Sequence, residues 1–315
     1  MRAIGVLDLS PAPGSDAESG LVEAVRSACE EVGFFQVVGH GIDPALFDAA
    51  HAAYEALFAL PGEVKQRWVT SSPFRGYRRP GSTFVQVYGI ANLAGAAEAR
   101  ARGTPEELLD FFEPFPWPEV DGFRAATTAL MAAERTVAAR LMSLIARSIG
   151  LPADHFVPAF EHDVCDLTGR QYLGGGPDPV VLGEHTDSGA LTLLHQRGTY
   201  DGLLVRALDG ELLAVPTRED ALVVNLGQLV ERWTDGRYRA TPHHVDMPAE
   251  GHRRTTIVLF QQPAVDWVVA PLDVCIGSDG PRYEPIRPYE NQLTAKTVEP
   301  ADPGAPGAAR SVVRP

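Results

Sequence analysis

The sequence predicts a mainly β fold, a sandwich or barrel, standing behind a helical N-terminal part. Three observations carry that expectation. Short β-branched and apolar runs recur beyond about residue 165, separated by Gly, Asp or Pro turns. Helical periodicity is confined to the first half of the chain. The tripeptide His185-Thr186-Asp187 lies within a strand-like run from Val180 to Leu194 and places two metal-ligand side chains at i and i+2.

In chain order, Leu21, Val25, Cys29 and Val32 recur at helical spacing, and Gly33 is a plausible stop. Phe34 to Val38 reads as a short strand ended by Gly39-His40-Gly41. Asp43-Pro44 opens a second helix through Leu60, with Pro in its first turn. Pro61-Gly62 closes it. Phe123 to Ile149 is a long alanine-rich helix, apolar at Leu130, Val137, Leu141, Leu144 and Ile145 and ended by Gly150-Leu151-Pro152. The strand-like runs then follow: Val180 to Leu182, Leu191 to Leu194, Leu203 to Val205, Ala221 to Leu226, Arg237 to Ala240, Thr255 to Phe260 and Trp267 to Val269. No internal repeat is visible. One domain is expected over residues 1–298, helical to about 160 and β-rich from about 161. The Pro/Gly/Ala-rich tail 299–315 is expected to be disordered.

The 315 residues are 45% hydrophobic and 22% charged, an ordinary globular balance with enough chain for a sizeable core. Lys and Arg number 27 against 41 Asp and Glu, for a formal charge of −14, which makes nucleic acid a poor partner. Three isolated cysteines (Cys29, Cys165, Cys275) argue against a disulfide framework and a CxxC zinc site. No secretory signal and no apolar run of membrane-spanning length is present, so a soluble, cytoplasmic protein is expected, a monomer with no membrane partner.

The chemistry begins at His185 and Asp187. On a strand, side chains at i and i+2 leave from one face. An imidazole and a carboxylate held that way can take adjacent positions on one metal, and His243 from a second strand-like segment would complete a facial set of three. Two histidines and a carboxylate with open positions suit non-haem Fe(II); alone, HxD is also a common surface tripeptide. Arg254 and Thr256 repeat the i, i+2 spacing, pairing a guanidinium fork with a hydroxyl suited to a carboxylate. His243 and His244 are neighbours, so only one can face the metal; His40, His51, His155, His162, His195 and His252 read as structural or surface residues.

These segments are similar to a known family. HTDSGALTLLHQRGTYDGLLVR resembles the HTD-x-G core of Fe(II)/2-oxoglutarate-dependent dioxygenases, in the isopenicillin N synthase-like subgroup. DALVVNLGQLVERWTDGRYRATPHHV resembles the stretch up to its distal histidine, RRTTIVLF its Arg-x-Ser strand, and EEVGFFQVVGHGID its N-terminal element. The resemblance spans roughly residues 5–295 and implies a double-stranded β-helix, or jelly roll, supported by N-terminal helices. It implies that His185, Asp187 and His243 bind Fe(II), His243 aligning with the ligand. It further implies that Arg254 and Thr256, with Tyr172 at the family's Asn-x-Tyr position, bind the distal carboxylate of 2-oxoglutarate. Arg170 stands where the family has that Asn, which leaves its role open.

The implied reaction consumes O2 and 2-oxoglutarate, releases succinate and CO2, and oxidises a small organic molecule of secondary metabolism, with ascorbate as a helpful additive in vitro. Retention of Asp187 points to hydroxylation, desaturation or ring formation rather than halogenation. For the substrate, Arg75, Tyr77, Phe112 and Phe260 are the candidate contacts, with Tyr289 a further apolar wall. Arg75 would meet a substrate carboxylate or pair with Glu113. Three alternatives stand beside this reading: an oxidase using the same iron triad without 2-oxoglutarate, a zinc-binding jelly-roll hydrolase, and a non-catalytic module.

Overall fold

A computed structural model describes residues 3–70, 75–78, 84–93, 95–112 and 114–291, with the backbone alone at Asp110 and Phe111. Twelve strands are present among them: β1 (Gly5–Asp8), β2 (Phe34–Val38), β3 (Gly76–Arg78), β4 (Val85–Ala91), β5 (Val164–Leu173), β6 (Val180–His185), β7 (Leu191–Gly198), β8 (Leu203–Arg206), β9 (Leu212–Ala214), β10 (Leu222–Leu226), β11 (His243–Asp246) and β12 (Arg253–Gln262). The helices are α1 (Asp16–Glu31), α2 (Pro44–Ala59), α3 (Gly62–Lys65), α4 (Ala96–Ala101), α5 (Phe123–Ser148), α6 (Val157–Phe160) and α7 (Gln228–Trp233). None of these is long and apolar enough to cross a membrane.

Eight strands form one sheet in the order β1-β2-β10-β7-β12-β5-β4-β3, and four form another in the order β6-β11-β8-β9. Neither closes on itself. Val85, Val87 and Tyr172 of the large sheet pack against Leu203, Val205, Leu213 and Val245 of the small one, so the two are layers of a jelly-roll sandwich. The large sheet's other face lies under α1, α2 and α5, where Leu167, Leu193, Ile257 and Leu259 meet Tyr54, Leu57, Phe123 and Leu141. Central strands buried on both faces read as nearly continuous apolar runs, as in LVVNL of β10, which only Asn225 interrupts.

The predicted helix ends agree with the local chemistry. The Asp43 carboxylate accepts from the Ala45 amide (2.9 Å), with Pro44 at the first position of α2. Gly33 follows α1 at φ +71, returning its amide to the Ala28 carbonyl (2.9 Å), a left-handed stop that a side chain would strain.

Four expectations change. The N-terminal part holds more strand than the one expected at Phe34 to Val38, because β1, β3 and β4 also join the large sheet. Arg237 to Ala240 forms no strand: it follows a turn at Asp235 (φ 50) and has no neighbouring strand to pair with. Trp267 to Val269 contributes a single bridge, Val269 to Ile286. The run from Val180 to Leu194 is two strands on different sheets, with residues 186–190 turning between them. The tail 299–315 and Glu113 lie outside the described residues.

One buried pair under the large sheet sets a pH dependence. His195 Nε2 lies 3.0 Å from the Glu219 carbonyl, which only accepts, so His195 Nδ1 must accept from His51 Nε2 at 2.9 Å. Burial pushes His195 down to about 4 and His51 to about 2. The unfolded chain protonates both near 6.5, so this pair's stabilisation is present above that pH and lost as pH falls toward 4. Metal-free protein should lose about 1.4 kcal/mol per pH unit for each such histidine. Urea unfolding at pH 7, 6 and 5 should show a shallower slope in His195→Gln; an equal slope would place the acid lability elsewhere.

Candidate metal centre

His185 is the last residue of β6 and pairs directly with His243, the first of β11, which brings their ring centroids to 4.4 Å. Asp187 reaches the same point from beyond the strand end, so its approach is set by the 186–190 turn rather than by strand alternation. The turn is pinned by the start of α7: the Gln228 amide donates to the Asp187 carbonyl (2.8 Å) and the Leu229 amide to the Gly189 carbonyl (3.0 Å). Gly227 is required there, because a Cβ would come within 2.1 Å of the Gly189 oxygen. Asn291 fastens the turn from the other side, donating to the Ser188 carbonyl at 2.8 Å.

Each of the three side chains offers one ligand atom, and these atoms lie within 4.8 Å of one another. The outer hydrogen bonds decide which atom faces inward. His185 Nδ1 donates to the Gly183 carbonyl (2.8 Å) and His243 Nδ1 to the Thr241 carbonyl (3.1 Å), leaving each Nε2 as a bare lone pair. Asp187 Oδ2 accepts from Thr192 (2.5 Å) and Asn225 (2.8 Å), which leaves Oδ1 toward His185 Nε2 at 3.8 Å. Burial pushes His185 down to about 4, and His243 beside it adds to the shift. Burial alone would raise Asp187, but His243, His185 and the two hydrogen bonds outweigh it and hold the carboxyl below its ordinary value. At neutral pH His185 is therefore neutral and Asp187 ionised, the states that bind a metal. His244 points to the opposite face, 3.3 Å from Asp246.

On the facing large sheet, Arg254 is fully buried. Its guanidinium lies over the Tyr172 ring at 5.3 Å and gives one Nη2 hydrogen bond to Gln196 Oε1 (2.8 Å). Its Nε and Nη1, and Thr256 Oγ1 two residues on, are buried with no partner. Burial pulls Arg254 below its ordinary pKa, and Arg170 nearby adds to this. A buried guanidinium with two idle donor nitrogens beside an idle hydroxyl fits the carboxylate of a small ligand.

The candidate substrate contacts divide. Phe260 is on the inner face, in register with Thr192 and Asp166. Phe112 and Tyr289 line a small apolar hollow with Val164 and Val265, one step past Phe260 on that face. Arg75 is buried, its Nε 3.3 Å from Asp166 and its guanidinium over Phe112 at 5.0 Å, so its charge is engaged inside the protein. Tyr77 is not part of the pocket. It pairs with Tyr88 on the face that packs under the helices, and its hydroxyl donates to Gln86 (2.9 Å). Thr192, Asn225 and Gln196 were not singled out from the sequence. Their signal is a polar residue inside a run buried on both faces, which must find a hydrogen bond.

Residues 4–107 match the family described as non-haem dioxygenase in morphine synthesis N-terminal, and residues 159–263 match the 2OG-Fe(II) oxygenase superfamily. A 2-oxoglutarate-dependent dioxygenase of Monascus ruber is 33% identical over 93% of this chain and 94% of its own. A homoarginine-6-hydroxylase of Oryza sativa subsp. japonica is 27% identical over 94% and 97%. The crystal structure of a full-length Neurospora crassa protein in complex with alpha-KG and thymine superposes with a TM-score of 0.81 at 23% identity, covering 93% of this chain and 97% of that one.

Proposed function

Because the chain belongs to the Fe(II)/2-oxoglutarate-dependent dioxygenase family, we propose that His185, Asp187 and His243 are its iron ligands and that Arg254, Thr256 and Tyr172 hold the distal carboxylate of 2-oxoglutarate. The enzyme is an oxidoreductase that uses Fe(II), 2-oxoglutarate and O2. The observation that carries the residue assignment is the set of idle atoms. Two Nε2 lone pairs and Asp187 Oδ1 converge on one point, and farther along the inner wall the orphaned donors of Arg254 stand beside the orphaned hydroxyl of Thr256.

Iron, when bound, supplies the redox chemistry that couples 2-oxoglutarate decarboxylation to substrate oxidation. The chain's own part is positional. Gly183 and Thr241 fix the imidazole tautomers, Thr192 and Asn225 hold one carboxylate oxygen so that the other is offered, and Arg254 fixes the far end of the co-substrate. The buried Asp187 and His243 keep water from one side of the centre while half-exposed His185 lies nearer the open side. The prime substrate is a small organic molecule, as is the thymine in the Neurospora crassa complex, taken up by a monomer in the cytoplasm and hydroxylated, desaturated or cyclised. An oxidase that dispenses with 2-oxoglutarate leaves the buried Arg254 donors without a purpose, and a zinc hydrolase does so equally.

The test is succinate formation under air with Fe(II) and 2-oxoglutarate, across a panel of small organic substrates. Iron-dependent succinate that rises with substrate is the expected result. Turnover with Zn(II) alone, or O2 uptake without succinate, would sink this reading.

A further inference from the structure

Arg170, on the pocket wall, has no part in this scheme. Arg170 lies on β5 opposite Thr256 and two residues before Tyr172, so it shares their face. Its guanidinium carbon is 5.6 Å from the centre of the Phe260 ring. Its Nε is buried with no hydrogen-bond partner. Asp166, the carboxylate four residues earlier on the same face, is engaged by Arg75 at 3.3 Å. Arg78, Arg254 and His185, all near Arg170, are bases like it. Burial, with Arg170 adding to it, pushes Arg78 down to about 10, and Arg170 also disfavours the charged forms of Arg254 and His185.

Asp187 and the two carboxylates of 2-oxoglutarate answer the metal and Arg254, and Asp166 answers Arg75. Arg170 is half-buried and pressed on an aromatic face, within electrostatic reach of both the metal triad and the Arg254 anchor. The fork of a guanidinium matches a carboxylate in two parallel hydrogen bonds. The ring beneath gives the remainder of such a molecule an apolar surface.

We propose that Arg170 selects the prime substrate and that this substrate is an apolar molecule bearing a carboxylate, its acid group on Arg170 and its body against Phe260. The proposal rests on the reading of the site as an Fe(II)/2-oxoglutarate centre, and it transfers to Arg170 the role that the sequence offered to Arg75.

The experiment uses wild-type protein loaded with Fe(II) and 2-oxoglutarate and a panel of aryl and alkyl carboxylic acids, each paired with its methyl ester and primary amide. Two signals are read. The charge-transfer absorbance of the Fe(II)–2-oxoglutarate complex reports co-substrate binding, and substrate-stimulated succinate reports the prime site. Acids are expected to stimulate and their esters and amides not. Arg170→Gln should lower kcat/KM for the best acid by about 30-fold or more, the cost expected for losing one partner of a hydrogen-bonded charge pair. Its 2-oxoglutarate titration should stay within about threefold of wild type. Arg170→Lys, which keeps the charge without the fork, should keep the preference for acids over amides at reduced kcat/KM, a pattern that a merely structural role would not give. Esters or amides that stimulate as well as their acids would overturn the proposal, as would silence from every acid. A 2-oxoglutarate titration weakened in Arg170→Gln as much as kcat/KM would assign the residue to the co-substrate instead. Absence of the charge-transfer band in wild type would refute the reading of the centre itself, which is a separate result.

Discussion

Replacing His185, Asp187 or His243 by alanine is expected to abolish iron-dependent turnover and to weaken Fe(II) binding by roughly 100-fold or more, since losing even an outer hydrogen-bond partner of a ligand costs about 10–100-fold. The three ligand atoms converge within 4.8 Å and nothing among the described residues stands ready to replace one of them. The fold should survive, because the site sits at the end of β6 and the start of β11, away from the apolar core between sheet and helices. Asp187→Ala carries the largest structural cost of the three, about 1–3 kcal/mol, because it strands the Thr192 and Asn225 donors. His244→Ala is the control: its ring lies on the other face beside Asp246, so iron should remain. Iron content after anaerobic dialysis and circular dichroism separate the outcomes. Retention of iron by His243→Ala together with its loss in His244→Ala would reverse the assignment.

Arg254→Ala is expected to lower the apparent affinity for 2-oxoglutarate by roughly 30-fold or more. Truncating one partner of a buried charge pair costs about 2–5 kcal/mol, and each 1.4 kcal/mol is a factor of ten. Thr256→Ala and Tyr172→Phe should each cost less, about 1 kcal/mol, because a neutral hydrogen bond is the most either supplies. Substrate KM should respond less than the 2-oxoglutarate KM in all three. A 2-oxoglutarate titration unchanged in Arg254→Ala would remove the residue from the co-substrate site and leave its orphaned donors unexplained.

The proposed metal ligands were readable because their chemistry depends on residue type and spacing, and both are linear properties of the chain. The route by which Asp187 arrives was not readable. Strand alternation brings His185 to the site, whereas Asp187 depends on a turn held by Gly227, Gln228 and Asn291, all distant in sequence. The strands β3 and β4 were missed for a related reason. β3 has three residues, and β4 interrupts its run with Gly89, so neither shows a clean period. Arg237 to Ala240 alternates like a strand but meets no partner, and a strand exists only by pairing. Arg75 and Tyr77 are two residues apart and reach opposite sides of the large sheet, Arg75 to Asp166 and Tyr77 to Gln86. Arg75 precedes β3, and the left-handed turn at Gly76 (φ +74) takes it out of the strand's alternation, which the run Arg-Gly-Tyr alone does not reveal.

The proposed ligand histidines and the proposed Arg254 anchor stand on different sheets, which meet through side chains rather than through a shared ladder. A co-substrate held at one end through a metal on these histidines and at the other by Arg254 would be a strut across the sandwich, and it should stiffen the molecule in two stages. Fe(II) alone should slow backbone hydrogen exchange in β6, β11 and the turn before α7. Adding 2-oxoglutarate should extend the protection to β5 and β12, a sheet away from the histidines that hold the metal. Protection by 2-oxoglutarate that stayed within β6 and β11 would mean that the strut does not reach across, and that the two layers remain free to breathe while the enzyme is loaded.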